Sequence, residues 1–143
     1  MGLGGLDLEK DEIQEERKTV DLEEERQKRK PFCYWTVGSR DYRLKLKAQN
    51  IERLENKYKC NIMNLVNDLP PLSVMLTIIQ AAMQPWEHGV KYSDIVNLYD
   101  KYVEEGGSQV NLYKDVIIQT LAVSGFFTQK MAEELLEATE EEL

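Results

Sequence analysis

His88 is the only histidine in the chain, and Cys33 and Cys60 are the only cysteines. Any catalytic or metal chemistry must therefore be assembled from very few side chains. A general base needs a positioned nucleophile or an orienting carboxylate beside it. His88 stands in Pro85-Trp86-Glu87-His88-Gly89, where Glu87 is adjacent in sequence, and adjacent side chains rarely face one another. The two thiols lie 27 positions apart with no C-x-x-C, so neither a zinc site nor a redox pair is signalled. Glu23-Glu24-Glu25 and Glu140-Glu141-Glu142 read as solvated faces, because an acid/base pair needs one shielded carboxyl group. Gly2, Gly4 and Gly5 precede no strand-to-helix junction, and Asp94 and Asp100 lack the dense oxygen spacing of a calcium loop. The residues therefore point to no catalytic group, no metal and no cofactor.

The elements that would carry any site are set out by charge and periodicity. From Asp7 to Lys30 there are ten acidic and seven basic residues and little to build a core. Leu6, Ile13 and Val20 fall seven apart, but the second heptad seam is filled by Glu and Lys, so a coiled coil is not supported. Residues 1–31 are expected to be a charged arm, helical or disordered, ended by Pro31. Phe32-Cys33-Tyr34-Trp35-Thr36-Val37, a turn at Gly38-Ser39-Arg40-Asp41, and Tyr42, Leu44 and Leu46 alternating with Arg43, Lys45 and Lys47 predict a β-hairpin. One face of that hairpin is apolar and the other basic. An isolated hairpin is marginal in water, so the apolar face must pack on the following helices or on another chain.

Helical spacing follows. Asn50 is placed to cap a helix bearing Ile51, Leu54 and Tyr58, and a short turn carries Ile62, Leu65 and Val66. Pro71 opens an apolar helix from Leu72 to Met83 with no polar face, which belongs at the centre of a core. Ser93 is placed to cap a helix with Ile95, Leu98, Tyr99, Tyr102 and Val103, stopped at Gly106-Gly107. Val110, Val116, Ile117, Leu121 and Val123 predict another helix, and the tail offers Met131, Leu135 and Leu136 on one stripe. The fold class is α+β, mostly α: a charged arm, one hairpin, then a bundle of about four to five helices. The divisions are 1–31 arm, 32–127 globular domain and 128–143 acidic helix or tail.

Net charge narrows the partners. With 26 acidic and 18 basic residues the chain carries −8, which repels nucleic acid and anionic membrane at long range. Met1 to Leu8 has no basic start, and the apolar run from Pro70 to Pro85 is too short to span a bilayer, so a soluble intracellular protein is expected. Against that background, residues 39–59 are net +4, with Tyr34, Trp35 and Tyr42 close by. Such a surface can hold a single nucleic-acid strand, or it can keep a small sheet soluble and block edge pairing. It can also attract the acidic arm or tail, of the same or another chain, a contact that salt would screen.

The order of pieces resembles the tail assembly chaperones of long-tailed bacteriophages and their relatives in gene transfer agents. The residues that carry the likeness are Tyr34-Trp35-Thr36-Val37-Gly38, Asp41 to Leu46, Asn50 to Tyr58, Leu69 to Leu76, Ser93 to Asp100 and Glu104-Glu105-Gly106-Gly107. The resemblance covers about Phe32 to Phe127. The arm is longer than that pattern has, and Cys60-Asn61 stands where relatives often carry a helix-ending Gly, a place in which Asn can take the left-handed conformation. The resemblance implies a non-enzymatic protein of the bacterial host cytoplasm, absent from the mature virion. Such a protein binds the tape measure protein, keeps it soluble for tube assembly, and is often extended by a ribosomal frameshift. Two sets of residues could do the covering: Phe32, Tyr34, Trp35, Tyr42, Leu44 and Leu46 of the hairpin, or Met75, Ile79 and Met83 of the apolar helix. Either set can instead be interior, and self-association is a third use of the same surface. A small phage adaptor or inhibitor of a host protein is the alternative reading.

Overall fold

The computed structural model describes residues 30–142. The charged arm read over residues 1–31 lies almost wholly outside them.

Strands β1 (Cys33–Val37) and β2 (Arg40–Leu44) pair antiparallel, with Cys33 opposite Leu44, Trp35 opposite Tyr42 and Val37 opposite Arg40. Alternation sends Trp35, Val37 and Leu44 into the core and leaves Tyr34, Thr36, Asp41 and Arg43 exposed. The turn is Gly38-Ser39 alone, with Gly38 at φ +67°. A positive φ at the first central residue matches the twist of the flanking strands, so Arg40 and Asp41, expected in the turn, already belong to β2. Thr36 donates its hydroxyl across the pair to Asp41 at 2.5 Å, and the Gly38 N–H donates to both carboxylate oxygens of Glu105 at 2.7 and 2.9 Å. Beyond β2, the Lys45 N–H reaches the Ala82 carbonyl (3.0 Å) and the Leu46 N–H reaches Ser124 Oγ (2.8 Å).

The helices are α1 (Ala48–Tyr58), α2 (Ile62–Leu65), α3 (Leu72–Met83), α4 (Tyr92–Glu104), α5 (Gln109–Asn111), α6 (Ile118–Val123) and α7 (Gln129–Glu142). A π-helical segment, Leu112–Ile117, joins α5 to α6. The fold is α+β and mostly α. Helix α3 is central, as its all-round apolarity requires: Val74, Met75, Leu76, Ile78, Ile79, Ala82 and Met83 are buried, and it contacts β2, α1, α4 and the π segment.

Helix starts differ from the sequence reading in one consistent way. Asn50 and Ser93 were placed as caps, but α1 and α4 begin earlier, after Lys47 and Lys91. The third residue of each helix reaches back to the backbone: Asn50 accepts the Lys47 N–H (3.3 Å) and Asp94 accepts the Lys91 N–H (2.8 Å). This is the reverse half of a capping box, and it looks like an ordinary cap in the sequence. At the end of α1 the left-handed residue is Lys59, at φ 57°. Asn61, expected to take that conformation, has φ −66° and caps α2 by accepting the Met63 N–H at 2.9 Å.

Helix α4 closes with a Schellman pattern. Gly106 sits at φ +102° and donates to Val103 O (3.0 Å), and Gly107 donates to Tyr102 O (2.9 Å). The Tyr102 ring lies so near that a Cβ on Gly107 would overlap it. Burial raises the Tyr102 phenol above its ordinary value, and the Asp115 carboxylate adds to the effect.

The wide π turn brings Leu112, Tyr113, Val116 and Ile117 inward together, and Tyr113 donates its hydroxyl to the Val66 carbonyl at 2.5 Å. Helix α7 is capped by Thr128, whose hydroxyl accepts the Met131 N–H at 3.2 Å. Ala132 of α7 is fully buried, and Leu135 and Leu136 pack against the same core. Helix α7 therefore packs on the same unit as the hairpin and the other helices. Met131, expected on the inner stripe, faces out because the stripe is centred on Ala132, Leu135 and Leu136. Among the described residues no helix is long and apolar enough to cross a membrane.

Three outcomes follow for stability. Lys59→Gly should stabilise the fold by about 0.5–1 kcal/mol in urea denaturation, since glycine lacks the Cβ strain of a left-handed residue. Gly107→Ala should cost about 1–3 kcal/mol, because the Tyr102 ring has to move. The raised Tyr102 phenol stabilises the fold below about pH 10, and that contribution fades as pH climbs through its folded-state value. The wild type should therefore lose stability relative to Tyr102→Phe above about pH 10.

Candidate partner-binding surface

The exposed hairpin face ends in a cluster of rings. Phe32, just ahead of β1, meets Tyr34 edge-on (centroids 5.0 Å apart, 82°) and Trp86 edge-on (5.6 Å, 74°). Arg43, directly opposite Tyr34 in the strand pair, holds its guanidinium carbon 5.2 Å from the Trp86 centroid and 5.8 Å from that of Phe32. Cation–π contacts at this separation are worth about 0.5–1 kcal/mol each at exposed sites, and they fix the arginine in place. Trp86 and Glu87 follow α3, their N–H groups both donating to the Met83 carbonyl at 3.0 Å. Consecutive residues of that turn are thus each held by an arginine of β2. Trp86 lies under Arg43, and Glu87 forms an ion pair with Arg40, which also stacks 4.6 Å over Tyr42.

Beside this cluster a cleft of about 530 Å³ opens between β2, the α3–α4 connection and α4. Tyr42, Met83, Val90 and Leu98 give it apolar lining, and Arg40 and Glu87 stand along it. Neither cysteine nor His88 is among its lining residues. His88 is exposed in the loop, and Cys33 is half-buried with its thiol directed at the Tyr34 and Asp115 carbonyls (3.6 and 4.0 Å). Among the described residues no group of three or more His, Cys, Asp or Glu is placed to hold a metal ion.

Of the residues read from the sequence as partner-facing, Trp35, Leu44, Leu46, Met75, Ile79 and Met83 are 2% exposed or less. Those six lie in the core of the described residues, Met83 at the floor of the cleft. The reason is mutual: the hairpin's apolar face needed a cover, the apolar helix had a side to spare, and β2 packs on α3. Each set supplies the burial the other required. Phe32 and Tyr42 remain half-buried, and Tyr34 is 54% exposed. The sequence reading places Arg43 on the basic hairpin face but misses Trp86 as a member of the surface. A tryptophan in a connecting turn was the available signal, because so large an apolar ring in a loop has to find cover or a partner.

No curated protein and no solved structure matches the chain. A family model does, over residues 30–142, which takes in both strands and every helix described above. The chain belongs to that family, described as a family of unknown function (DUF6096).

Proposed function

We propose that this chain is a non-enzymatic binding protein that shields apolar helical surface on a client, as a tail assembly chaperone does for a tape measure protein. The observation that carries the reading is the outward cluster of Phe32, Tyr34 and Trp86 clamped by Arg43. Rings held rigid by a stacked arginine lose little conformational freedom on binding, and aromatics and arginine dominate interface anchors. The resemblance in the sequence supplies the class of client. A net charge of −8 would keep the coated client dispersed. The role belongs in the bacterial host cytoplasm before the virion is finished, with no part in the mature particle.

Co-expression with the product of a tape-measure-length frame from the same genome tests the proposal. The client should move to the soluble fraction and co-purify. Tyr34→Ser combined with Trp86→Ala should weaken capture at least about tenfold while circular dichroism stays unchanged. A client equally soluble without the chain, or one that never co-purifies, would overturn the reading. A tape-measure-length frame directly downstream, overlapping in the −1 or +1 frame, would add independent support.

A second reading rests on the same arginine. A guanidinium among edge-on rings also suits a single nucleic-acid strand, despite the overall negative charge. Retention on a polyanion column at physiological salt, lost in Arg43→Glu, would favour it over the chaperone.

A further inference from the structure

Tyr34 and Met131 are the two most exposed large apolar side chains among the described residues, at 54% and 53%. They stand on faces of opposite charge. Tyr34 is cross-strand from Arg43, which lies in the stretch 39–59 with its seven basic and three acidic residues. Met131 is on α7, in the stretch 128–143 with six acidic residues and one lysine. Glu134, three residues on and exposed, shares the outer face of α7 with Met131. Among the described residues no ion pair joins Glu133, Glu134 or Glu137 to a basic side chain, and Arg43 has rings beside it but no carboxylate within ion-pair reach. The chain therefore carries two complementary half-sites that do not satisfy each other within one copy.

We propose that α7 of one copy docks on the Phe32–Tyr34–Arg43–Trp86 patch of a second copy, with Met131 against the rings and Glu134 facing Arg43. A thioether is a favourable neighbour for aromatic edges, and a carboxylate brought to Arg43 gives it the anionic partner it lacks. Because the contact joins two different faces it is heterologous. Each copy that binds leaves one patch and one α7 unused, so copies add head to tail until a ring closes or a filament grows. The occupant is this same chain, so the inference does not depend on which client the patch receives.

Sedimentation velocity on the purified full-length chain tests this without any client. Mean mass should rise with concentration between about 1 and 200 μM and fall again as salt is raised from about 50 to 500 mM. Arg43→Glu alone, or Glu134→Arg alone, should raise the dissociation constant tenfold or more. Both positions are exposed, and circular dichroism should show each variant folded. Mixed one to one, the two variants should regain wild-type association, since every reversed patch then meets a reversed helix and every native patch a native helix. A single monomer mass at all concentrations would overturn the proposal, as would association that neither variant weakens or that mixing does not restore. A client would compete with α7 for the same patch, but a monomer in sedimentation leaves client capture, read separately by co-purification, still to be decided.

Discussion

Everything in this molecule depends on the burial of the hairpin's inner face against α3. A two-stranded sheet has too few partners to persist in water, and an all-round apolar helix cannot be left bare. Here each meets the other's need. Trp35, Leu44 and Leu46 join Met75, Ile79 and Met83 in one core, and backbone bonds from Lys45 and Leu46 to Ala82 and Ser124 fasten the seam. The Glu105 carboxylate holds the far end of the hairpin at Gly38. With both ends fixed, the opposite face of the strands is presented rigidly to solvent.

That presentation gives the surface its character. Period-two alternation means that every residue committed to the core forces its neighbour outward, so burying Trp35 exposes Tyr34, and burying Leu44 exposes Arg43. Phe32 and Trp86 then gather around the two exposed side chains. The exposed aromatic cluster is thus a by-product of the packing that stabilises the fold. Substitutions that loosen α3 should disturb it even though they touch no exposed residue.

How much of this could be read beforehand depended on the physics of each element. The hairpin was plain because aromatic and β-branched residues at period two have few other uses, and α3 was plain because its composition admitted only a central place. Asn50 bonds backward from inside the helix, a geometry that differs from a true cap only in three dimensions, and at α4 that bond comes from Asp94, the residue after the expected cap Ser93. The π segment left no mark in the hydrophobic pattern: Leu112, Tyr113, Val116 and Ile117 satisfy an ordinary helix equally well. The apolar set divides between core and surface only in three dimensions, because apolar residues look alike in sequence whether they cover a neighbour or await one. Only the fold divided Tyr34 from Trp35, and only the fold brought Trp86 beside Phe32.

The chain has two tryptophans, and the architecture gives them separate duties. Trp35 is sealed in the core, with its ring edge-on to Tyr102 at 5.8 Å, while Trp86 sits half-covered in the outer cluster. Their fluorescence should therefore be separable by a soluble quencher. One indole reports on the core and the other on the outer cluster, so the molecule comes with an intrinsic optical readout that requires no label.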